Sequence, residues 1–168
     1  RLEKGPAYDD AAKLAARTTD RDDWPMYRHD GQRFGATACE VPAELAPRWD
    51  VKLGGKLTPP VAAAGRVYVA RKDAQTLSAL DAASGAKAWE FVAGGPIDSP
   101  ATIVGGLVLF GCADGYVYCL RASDGALAWR FRAAPSDRRI VCFGRLESPW
   151  PVHGSVLLHQ GAVYCPAG

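Results

Sequence analysis

The sequence predicts an all-β chain, a partial β-propeller of four-stranded antiparallel blades, and three observations carry that reading. Trp49, Trp89 and Trp129 stand 40 residues apart. The stretch ALDAASGAKAWEF (79–91) returns at the same interval as CLRASDGALAWRF (119–131). Gly 18 and Pro 12 against a single Met favour many turns and few long helices. A period of roughly 20–50 residues marks a repeat architecture, and one of about 40 with four short strands is the size of a propeller blade. A twisted four-stranded sheet cannot bury both faces alone, so neighbouring blades must supply the missing core.

Each segment follows from that period. Residues 1–22 read as a linker or short helix, with Ala-rich YDDAAKLAAR (8–17) the helical part and TTDRDD (18–23) a polar linker before Trp24-Pro25. Residues 23–48 form a lead-in, and residues 49–168 carry the repeats, with Trp49 on a lone fourth strand. LTPPVAAAGRVYVA (57–70) opens the first full blade (57–92). Its order is an apolar run, a Gly turn, an alternating run at 66–70, a polar turn, a run at 76–80, a second Gly turn and a Trp-bearing run. IDSPATIVGGLVLFG (97–111) opens the second blade (97–132), and LESPWPVHGSVLLHQGAVYC (146–165) supplies the first two strands of another. Two blades plus flanking strands make an incomplete ring, so the chain reads as part of a longer protein whose further blades are its first partners. Gly85 and Gly125 allow the tight turns between third and fourth strands, where a positive φ burdens any residue with a Cβ. The Trp four residues later is placed to wedge between adjacent sheets.

The pattern AxDxxxGxxxW, met by Ala79, Asp81, Gly85 and Trp89, resembles the tryptophan docking motif of the PQQ-like (pyrroloquinoline quinone) repeat propellers. The resemblance implies that Asp81 ties the joint between blades. The second copy keeps Gly125 and Trp129 and has Arg121 at the Asp position. DWPMYRHDGQRFGAT (23–37) is similar to the lead-in before the first blade of large exported members, so a periplasmic or extracellular location is implied.

Charge excludes some classes. Lys+Arg 20 against Asp+Glu 18 leaves +2, too little for a sequence-wide field that draws in nucleic acid or membrane. No apolar run approaches the ~18 residues of a membrane span, and residues 1–20 contain no apolar signal-peptide core. Trp129 and Phe131 alternate with Arg130 and Arg132, a strand pattern that turns the aromatics inward and away from base stacking.

Candidate chemistry is sparse. The Gly opening the second strand moves 41 residues from Gly65 to Gly106 but 55 from Gly106 to Gly161, so about 14 residues are inserted within 134–151. That loop shares a face with the strand two-to-three connections, and Arg71, Lys72, Arg138, Arg139 and Arg145 make it a candidate anion or partner site. The entrances DSP (98–100) and ESP (147–149) put Asp98 and Glu147 at the channel mouth as a candidate pair for a cation or for acid/base work, although strand-starting Pro and turn-capping Ser explain the motif without a ligand. His153 and His159, six apart on an extended strand, span about 20 Å and cannot share one zinc ion. RHD (28–30) has no nucleophile elbow beside it and reads as a lead-in loop anchored by Trp24 and Tyr27. Of five cysteines, Cys112 and Cys119 flank an expected Asp114-Gly115 hairpin turn. With Cys112 opposite Val117 they lie on a diagonal of about 7–8 Å, too far for a disulfide, and read as buried thiols.

No catalytic, cofactor-binding or metal residue is therefore assigned. The functional expectation is a noncatalytic binding or scaffold module that needs no cofactor and meets a protein or carbohydrate partner on its top face. The alternative is a piece of a PQQ-dependent alcohol or sugar dehydrogenase, with PQQ and calcium. That resemblance implies a vicinal Cys pair and an Asp/Glu/Asn calcium cluster, and neither is recognisable in this sequence.

Overall fold

A computed structural model describes residues 1–17 and 20–168. The polar linker read at 18–23 starts on Thr18 and Thr19, which lie outside the described residues. Helix α1 (Ala11–Ala15), entered through a 3-10 turn at Tyr8–Asp10, forms where the Ala-rich stretch predicts it. Ahead of it stands a strand absent from the sequence reading, β1 (Leu2–Lys4).

The repeat becomes two antiparallel sheets. The first runs β2 (Val61–Ala63), β3 (Arg66–Arg71), β4 (Thr76–Asp81), β5 (Lys87–Val92), in that spatial order. The second runs β6 (Thr102–Val104), β7 (Leu107–Gly111), β8 (Tyr116–Arg121), β9 (Leu127–Arg132), and β1 adds a fifth strand on its outer edge. Leu2 pairs with Phe131 and Lys4 with Trp129, while Glu3 holds Arg130 at 2.6 Å. Three residues near the N-terminus thus cover an edge whose N–H and C=O groups would otherwise stand open. Two hairpins follow, β10 (Ile140–Cys142) with β11 (Arg145–Glu147), and β12 (Leu157–His159) with β13 (Ala162–Tyr164).

Trp49, expected on a lone fourth strand, sits in chain without ladder pairing. A strand needs a neighbour to exchange hydrogen bonds, and no other strand flanks it among the described residues. The lead-in does pair: Trp24 exchanges two backbone bonds with Ala62 on β2, and Pro25 accepts one from Ile103 on β6. It therefore runs along the edge strands of both blades. Arg28 and His29 take left-handed φ there, and His29 packs edge-on to Trp24, so RHD is a turn.

Strand alternation divides the core in two. On the second blade Val108, Phe110, Tyr118 and Leu120 face the first, where Tyr68, Leu77, Ala79 and Trp89 meet them; Leu107, Leu109, Val117 and Cys119 face the other way, toward Val152 and Val156. Phe110 and Tyr118 stack with ring centroids 5.2 Å apart.

The joint between blades is a tryptophan laid on a glycine. Trp49 donates its indole N–H to Ala82 O (3.0 Å), and Trp89 donates to Ala122 O (2.9 Å), the same 33-residue reach each time. A Cβ built on Gly85 meets the Trp49 ring at 2.8 Å, and one on Gly125 meets Trp89 at 2.7 Å. Both glycines also hold positive φ, +74° and +75°. The residue thus serves the turn and leaves room for the indole ring of the preceding repeat Trp. Asp81, expected to tie the joint, instead caps its own turn: its Oδ1 accepts from the backbone N–H of Ala83 and Ser84 and from the Ser84 hydroxyl, which holds its carboxyl below the usual range. An exposed Asp immediately before a turn finds nearer donors there than across the interface. In the second blade the polarity reverses, with Asp124 in the turn gripping Arg121, which also reaches Asp10 beside α1.

Gly65 separates the two demands on these glycines, since it too has positive φ (+72°) but nothing within 4 Å of its Cβ position. In urea denaturation Gly65→Ala is expected to cost about 1 kcal/mol, the left-handed penalty alone. Gly85→Ala is expected to cost about 2–4 kcal/mol, because it adds overpacking against Trp49.

Candidate interaction face

Loops joining second to third strands and the connections between blades converge on one face. Their foundation is a buried carboxylate: Asp114 Oδ2 accepts the Tyr118 hydroxyl at 2.5 Å, its Oδ1 accepts the Tyr116 N–H, and Tyr118 Oη in turn accepts the Gly94 N–H. Gly94 and Gly95 lie so close to Asp114 that a Cβ on either would meet it at 2.5–3.0 Å. Burial, with the Asp114 charge second, pushes the Tyr118 phenol up. Nothing but a turn-forming Asp-Gly pair announces this network in the sequence.

The turn itself differs from expectation. Gly111, not Cys112, opposes Val117, and Cys112 bonds through its N–H to Tyr116 O, so the loop is one residue longer than a two-residue turn, with Gly115 in the left-handed position. Cys112 and Cys119 are free, buried thiols; Cys112 donates to Gly95 O, and burial pushes Cys119 up to about 12.

The insertion folds as the β10–β11 hairpin and bends back over this face. Arg145 pairs with Asp73 in the first blade's loop, Arg139 donates to Gly94 O (3.4 Å), and the Ser148 N–H donates to Ala113 O. The cations named in the sequence do gather here, but most are neutralised within the chain. Arg71 meets Glu90 at 2.6 Å, Lys72 meets Asp98 at 3.8 Å, and Arg139 meets Asp137 at 3.6 Å. Arg138 is exposed and has no ion pair among the described residues. An anion would have to displace carboxylates already in place, so the geometry speaks against an anion site.

Asp98 and Glu147 are engaged separately. Asp98 holds His153 Nδ1 at 2.7 Å as well as Lys72, whereas Glu147 lies in β11 opposite Ile140. Among the described residues no three His, Cys, Asp or Glu side chains converge as metal ligands. His159 sits at the exposed end of β12. The Asp98–His153 contact joins two inter-blade connections 55 residues apart, and only the third repeat's insertion hid that equivalence in the sequence. On β9, Arg130 stacks over the Tyr116 ring at 4.7 Å, but Trp129 and Phe131, expected in the core, line a half-open groove with Leu2 and Val163.

The family model described as outer membrane protein assembly factor BamB, built on the PQQ repeat, matches residues 8–165. The chain belongs to this PQQ-like repeat family. No curated protein matches it in sequence. Among solved structures, BamB from Moraxella catarrhalis is 23% identical over 71% of this chain and 33% of its own, with a TM-score of 0.56. Quinohemoprotein alcohol dehydrogenase from Comamonas testosteroni is 18% identical over 95% of this chain and 27% of its own, TM-score 0.72. A europium-containing methanol dehydrogenase is 17% identical over 95% and 29%, TM-score 0.67. At these identities the structures establish the fold, a PQQ-like repeat β-propeller, and the chain spans about a quarter to a third of their length.

Ion pairs this exposed are weak individually, so the hairpin's position can be loosened without unfolding the blades. Asp73→Ala is expected to change global stability by less than about 1 kcal/mol. Amide hydrogen exchange across 140–147 is expected to accelerate several-fold while β7 and β8 stay protected.

Proposed function

We propose that this PQQ-like repeat chain serves as a noncatalytic binding module whose top face meets a protein partner. The observation that carries the reading is the insertion of about 14 residues, folded into a hairpin that is anchored on its inner side and turns Val141, Phe143 and Leu146 outward. A repeat protein gains nothing in blade stability from an exposed apolar hairpin outside its sheets, whereas a binding surface needs one. Membership in a family described by outer membrane protein assembly supports a protein rather than a carbohydrate partner, and a periplasmic or outer-membrane setting. No helix among the described residues is long and apolar enough to cross a membrane.

The dehydrogenase relatives raise the question of a quinone with its metal, and the residues present do not fit one. Asp98 is committed to Lys72 and His153, Glu147 belongs to the hairpin, and the cysteines include no vicinal pair. No reaction step is derived through that group.

The test is to incubate the full-length protein with PQQ and Ca²⁺, then record the quinone absorbance and dye-linked oxidation of primary alcohols. The expected outcome is neither a bound-quinone band nor turnover above a buffer control. A stoichiometric band with turnover overturns the binding-module reading.

A further inference from the structure

The tip of the β10–β11 hairpin departs from the rules that the rest of the chain obeys. Phe143 (φ +48°) and Gly144 (φ +75°) form its two-residue turn, both left-handed. Asn, Asp or Gly is the low-strain choice at the first of these positions. The chain instead places there a phenylalanine that is 99% exposed. Behind it the cross-strand pair Val141 and Leu146 is 75% and 61% exposed. By strand alternation that pair lies on the face opposite Cys142 and Arg145, and Arg145 grips Asp73. One side of the hairpin is fastened to the propeller, and three apolar side chains project from the other.

Strain and exposed apolar surface together, with no burial in return among the described residues, mark a surface made for something else. Charge narrows what that is. Arg71, Lys72, Arg139 and Arg145 each have a carboxylate of their own chain, whereas Arg138 beside the knob and Lys56 beside Lys72 have none among the described residues. Two such cations contribute only about 1 kcal/mol each toward an anionic bilayer, short of the cluster of about 4–8 that anionic-lipid recognition takes, so a lipid surface is poorly matched. A protein socket needs no such field.

We propose that the hairpin is a docking knob: Phe143, flanked by Val141 and Leu146, enters an apolar socket on a protein partner whose rim sets a carboxylate opposite Arg138. The proposal rests on the binding-module reading above and adds the contact residues and the partner's chemistry.

The test places the photo-crosslinker p-benzoylphenylalanine at position 141 of the full-length protein, in the cells that make it. It is used alone and combined with Phe143→Ser, Arg138→Glu or, as a control, Lys52→Glu, exposed next to Val51 at the Gly85 turn. The expected result is one protein adduct of discrete mass. Phe143→Ser reduces it more than ~10-fold, as for an aromatic hot spot; Arg138→Glu reduces it several-fold; Lys52→Glu leaves it unchanged. All three substitutions leave the melting temperature unchanged, because these side chains lie outside the core.

Absence of an adduct, or one indifferent to Phe143→Ser, overturns the proposal. So does an adduct of twice the chain's mass, which assigns the knob to a second copy. Phe143-dependent sedimentation of the purified protein with phosphatidylethanolamine–phosphatidylglycerol vesicles overturns it in favour of a membrane. The same crosslinker at position 72 separates the two levels of the claim: an adduct there with none at 141 removes the knob and keeps the binding module, and silence at both removes both.

Discussion

The indole ring on the turn glycine is the contact on which the remaining architecture depends. Burying a Trp removes about 150–250 Å² from water, which at about 25 cal/mol per Å² is roughly 4–6 kcal/mol as an upper estimate. The indole N–H bond to Ala82 or Ala122 contributes about 1 kcal/mol beside that. Packing therefore supplies the attraction between blades, and the hydrogen bond fixes where along the turn the ring settles. The register shifts between Ala79 and Leu80, and between Cys119 and Leu120, occur at equivalent places in the two blades and lie next to the docked turns. A blade edge so determined can change its loops without changing its neighbours.

The top face uses that freedom. Its stable part is buried: Asp114, Tyr118 and the Gly94–Gly95 backbone close on one another away from water. Above it lies a layer of exposed ion pairs, each worth about 0–1 kcal/mol, which hold the inserted hairpin loosely against the propeller. Stability thus decreases outward, from aromatic core to buried network to surface pairs, and the most exposed apolar residue, Phe143, stands at the end of that gradient.

The repeat made most of the fold legible. Trp at 40-residue spacing, with Gly four residues before Trp89 and before Trp129, specified the blades and the order of their strands. What escaped notice were features without periodicity. Leu2–Lys4 is a strand only because β9 offers it an open edge, and nothing in LEK says so. Asp81 matched a motif but found nearer partners in its own turn. The one-residue difference between Lys72–Gln75 and its counterpart in the second blade moved the Cys112 register and with it the expected hairpin. The candidate face was visible as a length anomaly and a cluster of arginines, yet Asp73, Glu90 and Asp98, which neutralise three of its cations, come from separate segments that no local pattern can bring together.

The central claim is that Trp89 and Gly125 act as one joint, and a double-mutant cycle in urea tests it most directly. Alone, Gly125→Ala is predicted to cost about 2–4 kcal/mol. In a Trp89→Leu background, where a smaller side chain leaves room for the new methyl, its cost should fall to about 1 kcal/mol, the left-handed penalty that remains. Equal costs in both backgrounds, an additive cycle within about 0.5 kcal/mol, would contradict the account.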